Sequence, residues 1–374
     1  MSIIQSGVFG ECEWEFSSKG TLTVGGGQLA EGNFDSLVHG EIRKIVFESS
    51  VPTILHENSR SLFSGLVKLE TVRQVLPLNT SHVISMKNLF DNCPKLSEVD
   101  VSAWDTSNVT DMSGAFFQCK SLTRLDVTSW DTSRVNDMSY LFQDCPALME
   151  LDVSGWDTSG VTDISCMFSG CRNILALDVS AWDTSNVREM RGVFDQCERL
   201  SELDVTSWDT SAVVDMAGMF GLSAISSVDV SAWDTRNVEE MRYLFYGCAS
   251  LKDLSLSSWD VAQVTDISNM FGGCTGLVEL DLSGWDTRSV EMMQAAFSGC
   301  SLLRVLDISG WDVSSLTPDS QGSIARLFDG CASLKKIKAT SWENVRPGLQ
   351  EEFLKGVPPF AVVDTEGWRG KVIS

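Results

Sequence analysis

Histidine, tyrosine and basic residues are scarce in this chain. Its 374 residues include three His (His39, His56, His82), three Tyr and eight Pro. With no imidazole after His82, Ser–His and Cys–His nucleophilic pairs are excluded from most of the sequence. Lys and Arg number 28 against 51 Asp and Glu, a net charge of −23. A surface that acidic repels nucleic acid and anionic lipid, so neither is expected as a partner. No run reaches the ~18–20 apolar residues of a membrane span, so membrane insertion is not expected. The opening Met-Ser-Ile-Ile-Gln-Ser-Gly lacks the basic start and apolar stretch of a secretory signal. There is no Gly-rich phosphate loop and no Cys-x-x-Cys pair, so no cofactor or metal is expected.

Tryptophan is the exception, with twelve copies. It recurs at Trp104, Trp130, Trp156, Trp182, Trp208, Trp233, Trp259, Trp285 and Trp311, always 26 residues apart except for one step of 25, and a further copy follows at Trp342. Each unit reads approximately C-x-x-L-x-x-L-D-V-S-x-W-D-T-S-x-V-x-D-M-x-x-x-F-x-x-C, as from Cys119 to Cys145. Self-similarity at such a period marks a solenoid, whose units bury their apolar faces only against one another. One elongated domain therefore replaces the two compact ones that length alone suggests.

The unit can be read physically. Leu125 and Val127 flank Asp126, a period of two that turns the aliphatic pair inward and the carboxylate outward on a short strand. Trp130-Asp131-Thr132-Ser133 carries side chains that bond nearby backbone in turns. Val135, Met138, Leu141-Phe142 and Cys145 then follow at a spacing of three or four, which predicts a short helical turn. The expected fold is an α/β repeat, a solenoid of short parallel strands and short helical turns. Its columns of Leu, Val, Trp, Met, Phe and Cys stack into a core.

These residues resemble the BspA-like leucine-rich-repeat family, in the variant found in bacterial surface proteins and mycoplasma lipoproteins. The phrase L-D-V-S-x-W-D-T-S-x-V-T-D-M carries the resemblance over about residues 83–345. Gly10-Glu-Cys12-Glu-Trp14-Glu-Phe16, followed by Gly20-Thr-Leu-Thr-Val24, resembles the β-hairpin cap that precedes such repeats, and Ile42–Phe47 resembles the next strand. The expected organisation is an N-terminal β cap over 1–53, the solenoid over 54–345 with a degenerate first coil, and a C-terminal cap over 346–374. The resemblance implies a right-handed leucine-rich-repeat solenoid with a binding role, commonly adhesion to host or matrix proteins. It implies a cell-surface or secreted location and no enzymatic activity. An export signal and an anchor are not visible in this chain.

Several columns could carry chemistry. Nine Cys from Cys93 to Cys331 keep the repeat register, and only Cys12 and Cys166 lie outside it. Their Cβ vectors run parallel along a stack, which is poor disulfide geometry, and a line of thiols is no tetrahedron for zinc. They read as buried small hydrophobes, with Cys166 as the accessible thiol. Asp recurs in a strand column (Asp100 to Asp307), a turn column (Asp105 to Asp312) and a third that includes Asp111, Asp137 and Asp163. The turn column reads as backbone capping. The strand column, where like charges repel, implies hydrogen bonding to neighbouring backbone, bound cations such as calcium, or a basic partner. A Thr column (Thr106, Thr132, Thr158 and onward) is interrupted by Val261 and Val313 and lacks a Thr-x-Thr pair, against an ice-binding surface.

The candidate ligand surface is the outward strand face, where residue identity changes while the scaffold does not. It comprises Glu98, Arg124, Glu150, Glu202, Asp253 and Glu279, the adjoining Asp100, Asp126, Asp152, Asp178, Asp204 and Asp281, and, on a flanking variable column, Tyr140 and Tyr243. On the inner curve of a solenoid such strands present an extended concave sheet. The function expected is non-enzymatic binding of a protein ligand by a monomer. The alternatives are a structural spacer or self-assembling rod, and a calcium-dependent module.

Overall fold

The computed structural model describes residues 2–316, 323–340 and 347–364; Trp342, Trp368 and residues 317–322 lie outside them. The chain divides into two compact units, Met1–Asn186 with Cys197–Arg199, and Val187–Gln196 with Leu200–Ser374.

The first unit opens with strand β1 (Ile3–Phe9), antiparallel to β2 (Cys12–Ser17), which is antiparallel to β3 (Thr21–Val24). Then come β4 (Gly27–Gln28), a single-turn helix α1 (Asp35–Val38), β5 (Lys44–Phe47), β6 (Thr53–Ile54), β7 (Thr71–Gln74) and β8 (Glu98–Val99). One sheet runs β1-β2-β3-β5-β7-β8, parallel from β3 onward, and β4 pairs with β6. The expected hairpin between Gly10 and Val24 forms. Gly20, at φ +79°, lets the chain turn from β2 into β3. Cys12, Trp14 and Phe16 are buried while Glu11, Glu13 and Glu15 are exposed, the alternation of a one-sided sheet. Strand β1 is not foreshadowed by any such pattern: Ile3, Ile4 and Val8 are all exposed.

Past β8 the coils are joined mainly on another side. Between Val99 and Glu279 no strand is assigned, and on the expected strand face the one paired position there is Arg124 with Glu150. The dense ladder runs instead through the segment read as a helical turn. In the coil after Asp111, the amides of Met112, Gly114, Phe116 and Gln118 donate to the oxygens of Asp137, Ser139, Leu141 and Gln143 in the next coil, at 2.8–3.0 Å. The intervening amides of Ala115, Phe117 and Cys119 donate three residues back, to Met112, Gly114 and Phe116. The spacing of three seen in the sequence is thus that of consecutive turns. Gly114 and Gln118, at φ +63° and +59°, reverse the chain often enough for alternate amides to leave the coil. Helix is confined, among the described residues, essentially to α1 and α2 (Pro347–Leu354).

Side chains complete each seam. Phe90, Phe116, Phe142 and Phe168 stack with centroids 5.4–5.9 Å apart. Trp130, Trp156 and Trp182 are buried, and each Nε1 donates back to the oxygen of Val101, Val127 or Val153 in the preceding coil. Each thiol of the Cys column does likewise, Cys119 to Phe90 O at 3.3 Å and Cys145 to Phe116 O at 3.1 Å. The Thr column is buried, 0–2% exposed where described, and therefore no flat outer surface. Thr106, Thr132 and Thr158 donate forward to the oxygens of Asp131, Asp157 and Asp183 at 2.9 Å.

The second unit uses the same coil. It adds β9 (Glu279–Asp281), β10 (Val305–Asp307), β11 (Lys336–Lys338), helix α2 and β12 (Val362–Asp364), with the parallel sheet order β12-β11-β10-β9. The one step of 25 residues, between Trp208 and Trp233, is absorbed locally. Ser223-Ala224-Ile225 replaces the Cys-x-x-Leu of other coils, Ser223 meets Cys248 Sγ at 3.6 Å, and Ile225 fills the leucine position. The ladder is unbroken, with Phe220 N bonded to Leu244 O at 2.9 Å. At the other end Phe353 of α2 stands edge-on to Phe328, 5.1 Å between centroids, and ends the Phe column.

Candidate functional site

All three Asp columns follow one local rule, and it explains why Ser or Thr recurs two residues later. In the strand column Asp126 Oδ1 accepts from the Thr128 amide at 3.2 Å and hydroxyl at 2.7 Å. Asp152 does the same with Ser154, at 3.1 and 2.7 Å. In the turn column Asp131 accepts from Ser133, at 3.0 and 2.6 Å. In the third column Asp137 accepts from Ser139, at 2.9 and 2.6 Å. Each Asp-x-Ser or Asp-x-Thr closes a corner of the coil. Of the three readings open for the strand column, the structure shows hydrogen bonding to nearby backbone.

These bonds decide the electrostatics. The Thr128 hydroxyl, then its amide, hold Asp126 below the usual carboxylate range, against the upward push of Asp152 one coil away. Ser154 lowers Asp152 and Ser133 lowers Asp131 in the same way. The acids therefore stay ionised although stacked. Among the described residues no group of three or more His, Cys, Asp or Glu is placed to hold a metal ion.

Six of the expected ligand residues line one groove of the first unit. Glu98, Asp100, Arg124, Asp126, Glu150 and Asp152 surround an open volume of about 910 Å³. Its floor is aliphatic, from Val72, Val99, Val101, Leu125 and Leu151. Arg73 and Gln74 of β7 complete the wall, and Arg73 Nη2 lies 3.6 Å from Glu98 Oε2. Those two residues were not anticipated because the imperfect first coil hides their column. Register alone could have placed them, since Thr71 pairs with Glu98 and Val72 with Val99. The groove carries five carboxylates against two guanidinium groups.

The remaining candidates lie elsewhere. Asp178 is exposed in the first unit but does not line the groove. Glu202, Asp204, Asp253, Glu279 and Asp281 are exposed in the second unit. Glu279 and Asp281 of β9 pair with Val305 and Asp307 of β10, and these with Lys336 and Lys338 of β11. Lys338 Nζ is 2.6 Å from Asp307 Oδ2. Tyr140 and Tyr243 sit on the turn ladder, at φ +59° and +60°, and are 45% and 44% exposed. Cys166 occupies the same column at φ +53° and is half-buried, whereas the other ten Cys are buried. Burial pushes the thiols of Cys93, Cys248 and Cys331 up to about 12.

The chain is similar to several solved leucine-rich-repeat proteins. A leucine-rich repeat protein from Eubacterium ventriosum is 15% identical, with 82% of this chain and 93% of that chain covered at a TM-score of 0.38. A leucine-rich cell surface protein from Faecalibacterium prausnitzii is 14% identical, with 94% and 98% covered at 0.32. A leucine-rich-repeat protein from Leptospira interrogans is 12% identical, with 92% and 89% covered at 0.26. No curated protein matches the chain. The family model described as "Mycoplasma protein of unknown function, DUF285" matches residues 57–174, 146–225 and 221–342. With nearly every coil inside those matches, the chain belongs to this family, a BspA-like group of leucine-rich-repeat proteins.

Proposed function

We propose that the chain is a non-enzymatic protein-binding module acting at a bacterial cell surface, and that the groove of the first unit receives an extended, basic segment of a host or matrix protein. A leucine-rich-repeat solenoid is a scaffold suited to protein interaction, since it displays many side chains from a framework already ordered before binding. One observation carries the reading: five carboxylates and two guanidinium groups over an aliphatic floor. A chain with Lys or Arg at alternate positions meets the Asp row, and its apolar residues cover Leu125 and Leu151. Arg73 and Arg124, within the acidic walls, select against a uniformly basic ligand and fix register.

The test is binding of immobilised host and matrix proteins, and of Lys-rich extended peptides, to the whole chain and to Glu98→Lys and Glu150→Lys. Both residues are exposed and neither closes a coil corner, so the fold is retained. Loss of binding by about tenfold or more in the double variant supports the groove. Unchanged affinity in that variant removes it.

A further inference from the structure

Two of the scarce histidines come together in one place. His56 and His82, two of the three His, line a second groove of the first unit, of about 540 Å³, with Gln28, Asn108, Thr110 and Arg134. Glu57 is the one carboxylate in this wall, in a chain with 51. The groove shares no lining residue with the acidic one.

Its geometry limits what can enter. His82, Asn108 and Arg134 hold the same position in three successive coils. At ~4.8 Å per coil they span about 10 Å, the length of a disaccharide. The polar groups are held in advance. Asn108 Nδ2 donates to Ser81 O at 2.9 Å, and its Oδ1 accepts from Arg134 Nη1 at 2.9 Å. His56 Nδ1 lies 3.1 Å from the Asn58 amide and 3.3 Å from the Asn58 oxygen, which fix the ring on its own loop. Arg134 is exposed and forms no ion pair among the described residues, which leaves its guanidinium able to pair with an anion.

The backbone here is already engaged. Ile84, Thr110 and Asn136 donate their amides to Glu57, Ile84 and Thr110 oxygens at 2.7–2.9 Å. A peptide could not add as a strand, so recognition falls to side chains. They offer carboxamides, a hydroxyl, imidazoles, a guanidinium and the single Glu57 carboxylate around Ile84, which is 47% exposed. That mixture suits a ring with hydroxyls on its rim, C–H groups on its face and one anionic substituent.

We propose that this groove is a second ligand site, one that takes a short acidic saccharide. The anionic substituent, a carboxylate or sulfate, pairs with Arg134, and the ring hydroxyls meet His82, Asn108 and Thr110. Ordered donors in a groove of disaccharide length keep the ordering cost of binding small.

The experiment titrates the whole chain with a uronate-containing disaccharide, a sulfated disaccharide, their neutral parent and an acidic tetrapeptide, each to about 10 mM, a range that captures weak contacts. Calorimetry or ligand-observed NMR reads the binding. Arg134→Ala, Arg134→Lys and His82→Ala are compared, with thermal melts to show that each is folded. Saturable binding of an acidic disaccharide, about tenfold weaker in Arg134→Ala and partly restored in Arg134→Lys, supports the site. Glu150→Lys should leave this binding unchanged, which separates it from the acidic groove. The proposal is overturned if neither acidic disaccharide binds, if the neutral parent or the tetrapeptide binds as tightly, or if the folded Arg134→Ala and His82→Ala variants bind like the parent chain.

Discussion

Thr132 gives its hydroxyl hydrogen to the main-chain oxygen of Asp157 one coil further on, at 2.9 Å, and is 1% exposed. The same bond joins Thr106 to Asp131 and Thr235 to Asp260. Thr132→Val keeps shape and burial but leaves the Asp157 oxygen without this donor. It should lower unfolding free energy by about 1–2 kcal/mol, and Thr132→Ser should recover part of that. Val261 occupies the equivalent position and is fully buried, so the site accepts the valine sterically. Urea titration of the three chains measures the difference. A Thr132→Val variant as stable as the parent would show that the hydroxyl contributes nothing net.

Acid should weaken the fold. Asp105, Asp126, Asp131, Asp152, Asp183, Asp204 and Asp229 all sit below the usual carboxylate range, chiefly through the hydroxyl two residues on. A carboxylate lowered on folding contributes stability above its unfolded value of about 3.9 and loses it as pH falls through the folded value. Asp91 and Glu240, raised chiefly by burial, act in the opposite sense but are outnumbered. The melting temperature should therefore change little from neutral pH down to about 5 and fall steeply below about 4. A melting temperature that rises on acidification through this window would contradict the hydrogen-bonded corners.

Thiol chemistry should be confined to one site. Ten of the 11 Cys are buried, and Cys166 is the half-buried one. Only thiolates react, and burial pushes the column away from ionisation. A disulfide reagent at neutral pH should modify a single thiol in the native chain, none in Cys166→Ala, and all 11 after denaturation. Fast native modification of several thiols would mean that the Cys column is open.

The left-handed column offers a stability test in both directions. Ala295 stands at φ +55° in a column that elsewhere holds Gly114 and Gly218. Ala295→Gly should stabilise the chain by up to about 1 kcal/mol, because the Cβ strain of that conformation is removed. Gly114→Ala should destabilise it, since the added Cβ would come 2.3 Å from Asn88 Oδ1. Denaturant midpoints of the two variants should move in opposite senses.

The columns were legible because they obey a period. Leu125 and Val127 inward, Asp126 outward, and the buried Trp, Phe and Cys all follow from the 26-residue spacing. The pairing scheme was not legible, for a physical reason. A spacing of three between Val135 and Met138 is the same for a helical turn and for consecutive β-turns, and side-chain pattern does not reveal which amides leave the coil. Thr132 reads in the sequence as a turn residue that bonds nearby backbone, whereas its hydroxyl is taken by the Asp157 oxygen of the next coil. The acidic groove could be anticipated from variable positions, whereas His56, His82 and Arg134 come together only once the coils are stacked.

The turn ladder has a consequence for how the molecule breathes. Amides of Ala115 and Phe117 are tied within their own coil, while those of Gly114 and Phe116 cross to the next. The first pair can be released by distorting one coil; the second requires neighbouring coils to part. Hydrogen exchange along this stretch should alternate residue by residue between faster and slower protection, a period-two rhythm written on a structure whose sequence repeats every 26.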